Sequence, residues 1–115
     1  MNNLRYFRDI ANVPPILLSR LLNVTLHTYI AYEQEKTSME KVIVEMLSLI
    51  YCVNELDLFA PIETINDITL KYLNNLSTLS IEDKQKELLR NLTGKDSAVL
   101  NYRNISKVKR DLASK

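Results

Sequence analysis

The chain has one glycine, three prolines, one cysteine and one histidine in 115 residues, and each scarcity excludes something. So few turn formers argue against a sheet with many hairpins and for a few helices joined by short connections. Lone Cys52 excludes an intramolecular disulfide and fits a reducing compartment, with the cytoplasm the expected location. One histidine and one cysteine, distant in sequence, do not make a metal site of normal stoichiometry. Apolar runs never approach the roughly 20 residues needed to span a bilayer, so no membrane partner is expected. Met1-Asn2-Asn3-Leu4-Arg5 also lacks the uninterrupted apolar stretch of a signal peptide. There is no nucleophile–base pair, no Gly-rich phosphate loop and no metal-ligand spacing, so neither enzyme activity nor a cofactor is expected.

What is present is an ordinary foldable composition, 46% hydrophobic and 25% charged, of a length suited to one domain or a small domain with an appendage. Net charge is +1, but its distribution is uneven. Residues 1–80 carry six Lys/Arg against nine Asp/Glu, and residues 81–115 carry nine against five, giving a mildly acidic front and a basic tail.

Helical periodicity divides the first sixty residues into five short segments. Leu4 to Ala11 places Leu4, Phe7, Ile10 and Ala11 on one face. Pro15 opens a second helix to Leu22, where a missing N–H costs little, and Asn23 is suited to the left-handed turn that ends it. Thr25 is a fitting N-cap for a third helix from Leu26 to about Gln34. Ser38 is expected to cap a fourth, whose Met39, Val42, Ile43, Met46, Leu47 and Ile50 form one apolar stripe. Cys52 reads there as a small core hydrophobe. Asn54 is expected to cap a very short fifth helix through Leu58, ended by Pro61. Beyond it, Thr64-Ile-Asn-Asp67 reads as a capping sequence before an apolar row of Ile68, Tyr72, Leu76 and Leu79. Ser80 opens a further helix ending near Gly94, and Ser97 to Leu112 is helix-prone and basic.

The stretch from Leu18 to Glu33 has the pattern of two helices crossing at a tight turn. Ser19 is small where the helices close, Val24 plugs the corner, and Tyr29 faces inward. A three-residue turn leaves the outer face of the third helix protruding, able to enter a major groove about 12 Å wide.

Together with Arg8 in the first helix, Leu18-Ser19…Leu22-Asn23-Val24-Thr25, Tyr32-Glu33 and Val53-Asn54-Glu55-Leu56, this order resembles the Cro/repressor-type (XRE-like) helix-turn-helix family over Leu4 to Phe59. The resemblance implies an all-α, five-helix DNA-binding domain over residues 1–60. Residues 61–115 then form a helical extension for dimerisation or electrostatic help, because Tyr72, Leu76 and Leu79 have few obvious partners in the first sixty residues. It further implies an ion pair between Arg8 and Glu33 with a structural role, and Leu26, His27, Thr28, Ile30 and Ala31 facing DNA. Arg20, Thr25 and Lys36, with Thr28, are the candidates for holding the phosphate backbone.

Three features depart from the family pattern. Pro15 stands where a polar phosphate contact is usual, Glu35 where Gly is usual, and the reading face offers Leu26, Ile30 and Ala31 rather than bidentate polar side chains. Two functions therefore stand side by side. The first is a homodimeric, repressor-like regulator of transcription bound to double-stranded DNA. The second is a degenerate helix-turn-helix turned to protein–protein interaction, for example as the antitoxin-like half of a toxin–antitoxin pair. In the tail, Arg103, Lys107, Lys109 and Arg110 are candidates for phosphate contact or a solvated face, and Tyr102, Ile105, Val108 and Leu112 for an apolar seam.

Overall fold

A computed structural model of the chain describes residues 2–94. Among the described residues six α-helices carry the fold: α1 (Leu4–Ala11), α2 (Pro15–Leu22), α3 (Leu26–Glu33), α4 (Lys41–Tyr51), α5 (Asp67–Ser77) and α6 (Ile81–Leu92). Two 3-10 turns, Glu55–Leu58 and Ile62–Thr64, connect α4 to α5, and the described residues contain no strand. None of the described helices is long and apolar enough to cross a membrane.

Four helix ends share one device that replaces glycine. Asn12, Asn23, Glu35 and Cys52 each adopt a left-handed backbone, with φ of 54°, 58°, 60° and 57°. In each case the following residue's N–H reaches back to close the turn: Val13 to Arg8, Val24 to Ser19, Lys36 to Ala31 and Val53 to Ser48, at 2.9–3.1 Å. Val13, Val24 and Val53 then fold onto the core as the apolar residue that accompanies such an ending. Asn12 and Asn23 are both of a residue type suited to this role, and only Asn23 is assigned it from the sequence. Cys52 sits at the end of α4 and is exposed, not a core hydrophobe, because the left-handed turn swings it outward.

Other local starts follow their side chains. The Thr25 hydroxyl accepts from the Thr28 N–H, Asn66 from Thr69 and Ser80 from Asp83. Asn54 and Asp57 close a reciprocal capping box over a 3-10 turn rather than an α-helix. Two expected starts move. Helix α4 begins at Lys41 after an extended Glu40, leaving Ser38 and Met39 in the loop. Helix α5 is capped by Asn66, while Thr64 bonds back to Pro61 within its own turn. That start sets the phase of α5. Thr69, Leu73 and Leu76 are buried, whereas Ile68 is 79% exposed and does not belong to the inward row.

All six helices feed one core. Phe7 and Tyr51 meet edge to face, with ring centroids 5.5 Å apart, among Leu4, Leu18, Tyr29 and Leu47. Helix α5 lies against α1, and α6 against α4. Leu76 is 1% exposed within the core that the first sixty residues also line, so it does not want for partners inside the chain.

Polar ties reinforce the docking of residues 61–94. Asn91 donates to the Ile50 carbonyl at 2.9 Å and to the Tyr72 hydroxyl at 2.6 Å, and Tyr72 donates to Glu87 at 2.8 Å. Lys84, 2% exposed, donates its ammonium to the Asn12 carbonyl at 2.6 Å. Its aliphatic stem lies within the fold while its charge meets the negative end of the α1 dipole.

Candidate nucleic-acid interface

Helices α2 and α3 are eight residues each and are separated only by Asn23, Val24 and Thr25. Three local features make so short a connection possible. Asn23 accepts the left-handed turn, Val24 packs on the core, and Thr25 immediately caps the next helix. Ser19, 2% exposed, turns its hydroxyl back to the Ile16 carbonyl at 2.8 Å, so a small, internally satisfied side chain stands where α2 meets α3. Tyr29 is fully buried beneath the turn.

The far end of α3 is tied to α1. Arg8 Nε donates to Glu33 Oε2 at 2.6 Å and Nη2 donates to Oε1 at 3.1 Å, a bidentate arrangement. The side chains are only 18% and 6% exposed. Hydrogen bonding to Glu33 raises the Arg8 pKa further above its ordinary value, against a smaller opposing effect of burial. The pairing of Arg8 with Glu33 is thus observed in the geometry. Asn2 adds a second tie, donating to the Tyr32 carbonyl at 2.9 Å.

Beside the pair lie the hydroxyls of Tyr29 and Tyr51, buried without a hydrogen-bond partner among the described residues. Burial, foremost, raises both phenol pKa values far above their ordinary range. The negative charge of Glu33 pushes in the same direction, and Arg8 opposes it.

The sequence-derived contact residues do not form a uniform outer face. Leu26, at 41%, and His27 are exposed on the first turn of α3. Thr28, Ile30 and Ala31 are half-buried, and Ile30 packs against the core, which limits what it can offer outward. Thr28 is further engaged with Thr25, whose hydroxyl lies 2.9 Å from its own. Among the backbone candidates, Arg20 is exposed on the last turn of α2, Thr25 sits at the cap, and Lys36 is exposed just past α3. Arg20, Thr25, Leu26 and His27 therefore lie on or next to the α2–α3 turn, while Lys36 stands at the opposite end of α3.

Sequence reasoning passed over Ile16, which is 43% exposed on the first turn of α2. Its position directly after Pro15, at the start of a helix whose inward face is Leu17, Leu18, Leu21 and Leu22, was the available signal.

Arg103, Lys107, Lys109 and Arg110 lie outside the described residues. Among the described residues, no group of three or more His, Cys, Asp or Glu side chains is placed to hold a metal ion. Comparison with family models, with curated proteins and with solved structures finds no match.

Proposed function

We propose that this chain is a sequence-specific DNA-binding regulator of the Cro/repressor-like helix-turn-helix type, acting as a homodimer and repressor-like in its effect. The observation that carries this reading is the α2–turn–α3 unit. Two short helices are joined by three residues, with Leu26 and His27 exposed on the leading turn of α3 and the helix anchored at its other end by Arg8 and Glu33. A helix so held can present its first turn to base edges as a rigid element, which is what groove recognition requires.

In this reading Leu26 and His27 are the principal base contacts, Leu26 favouring a thymine methyl, with Thr28 and Ala31 at the margin. Arg20, Thr25 and Lys36 hold phosphates and set the register. Two copies on a two-fold operator would place their α3 helices in successive major grooves about 34 Å apart.

Selection and sequencing from a random duplex pool, at two salt concentrations, tests the proposal. Expected is a palindrome with half-sites about one helical turn apart and affinity that falls with salt. His27→Ala should change the selected bases, and Lys36→Gln should weaken all sites alike and flatten the salt slope.

A second reading has its own observation. Ile16 and Leu26, 43% and 41% exposed, put apolar side chains on the first turns of both helices, as a protein-docking face would. A stoichiometric protein partner, with no enriched duplex and no salt-sensitive binding, would favour it.

A further inference from the structure

Among the described residues, seven large hydrophobic side chains are exposed, and four of them, Leu56, Phe59, Ile62 and Ile68, fall within thirteen consecutive positions. Leu56 and Ile68 are the extremes, at 81% and 79%. This stretch forms the 3-10 turns and the start of α5, held in place by Asn3, which donates to the carbonyls of Asp57 and Ala60 at 2.9 and 2.7 Å. Asn3 thereby fixes the backbone between Asp57 and Ala60 within this stretch. The charge of the stretch is predominantly acidic: residues 53–71 contain Glu55, Asp57, Glu63 and Asp67 against one basic residue, the exposed Lys71, one helical turn beyond Ile68.

The remainder of the chain has the opposite composition. Residues 95–115 contain six Lys/Arg against two Asp/Glu, a net +4 compared with the net −3 of residues 53–71. Tyr102, Ile105, Val108 and Leu112 recur there every three or four positions, the spacing of one helical face. Gly94, which immediately precedes this segment, is close to the start of the acidic stretch. Asn91 is bonded to the Ile50 carbonyl, and Gly94 lines one open cavity of about 340 Å³ together with Cys52 and Val53, three residues before Leu56. A helix of the sixteen residues 97–112 would be roughly 24 Å long, so reach is not limiting.

We infer that residues 97–112 dock, within the same chain, on the acidic apolar surface of Leu56, Phe59, Ile62 and Ile68. Burial of the apolar row supplies the attraction, and the complementary charges select the partner and orientation. This inference is independent of the DNA-binding reading.

Amide hydrogen exchange of the full chain tests it, comparing the natural sequence with a Leu56→Lys/Ile68→Lys variant. Both substituted side chains are about four-fifths exposed, so the core should tolerate the change, and amides of α1 and α4 report whether it does. Expected is slowing of exchange by about tenfold or more across residues 97–112, lost in the variant while α1 and α4 keep their protection. Exchange of residues 97–112 at the intrinsic rate in the natural chain would overturn the inference, as would equal protection in the variant. Protection that disappears on about hundredfold dilution, together with a fall from dimer to monomer mass, would assign the surface to a second copy instead.

Discussion

Arg8→Met removes the guanidinium from a carboxylate that cannot easily be rehydrated. Glu33 is only 6% exposed, and its two oxygens lie 2.6 and 3.1 Å from Arg8 Nε and Nη2. Stripping one partner from a buried pair costs about 3–5 kcal/mol, since the other charge is left in the interior. Arg8 retains 18% exposure, which admits some water and places the expected loss near the lower end, about 3 kcal/mol. For a domain of this size each kcal/mol shifts the melting temperature by about 4–8 °C, so the expected fall is about 12–24 °C.

Glu33→Leu should be milder, about 1–2 kcal/mol. Its orphan would be the more exposed partner, which also keeps a long contact to the Val13 carbonyl and a neighbouring Asp9. Arg8→Met/Glu33→Leu, which removes both charges, should return to within about 1 kcal/mol of the natural chain. Thermal and urea unfolding at pH 7, followed by circular dichroism, measure all four corners of the cycle. Losses that simply add in the double variant, or an Arg8→Met cost under about 1 kcal/mol, would show that the pair behaves as a surface bridge and refute the reasoning.

Three further outcomes are expected. Tyr29 and Tyr51 have phenol pKa values raised in the folded chain above the ordinary value near 10, so the fold binds these protons more tightly than the unfolded chain. Their contribution is complete below about pH 10 and is lost as pH rises beyond it, giving alkaline unfolding whose onset moves upward in Tyr51→Phe; an unchanged onset would contradict this. Asn23→Ala should lose about 1 kcal/mol in urea unfolding, and Cys52→Gly should gain a similar amount, because left-handed backbone costs about 1–2 kcal/mol for side chains that do not favour it. Equal, near-zero effects at both positions would mean that the helix endings carry no strain. Lys84→Ala should cost about 2–3 kcal/mol through a lost charged hydrogen bond and a void under α6, whereas Lys86→Ala, exposed on the same helix, should be neutral in the same assay.

Much of the helical layout is readable from residue types, because the cues are local. Pro15, Asn23, Thr25, Asn54 and Ser80 each act on backbone groups within a turn of themselves, and the segments they delimit are those observed. Where another element sets the outcome, the reading fails. Cys52 and Glu35 occupy left-handed positions that their side chains do not advertise. Lys84 resembles any solvated helix lysine until the end of α1 is seen to lie against it. Ile68 belongs equally well to either face of α5 on spacing alone, and the choice is made by the cap at Asn66 and by the packing of Leu73 and Leu76 on the core. At the candidate interface, the exposure of Leu26 and His27 follows from the turn, whereas the packing of Ile30 against the core depends on neighbours distant in sequence.

The central claim, that the leading turn of α3 meets duplex DNA, is tested most directly by titrating the isotope-labelled full chain with a random-sequence duplex at low salt and following backbone amide shifts. The account predicts perturbations concentrated at Thr25–Ile30, with Arg20 and Lys36, that fade as salt is raised. No perturbation at low salt, or perturbations lying elsewhere while Leu26 and His27 stay unmoved, would contradict it.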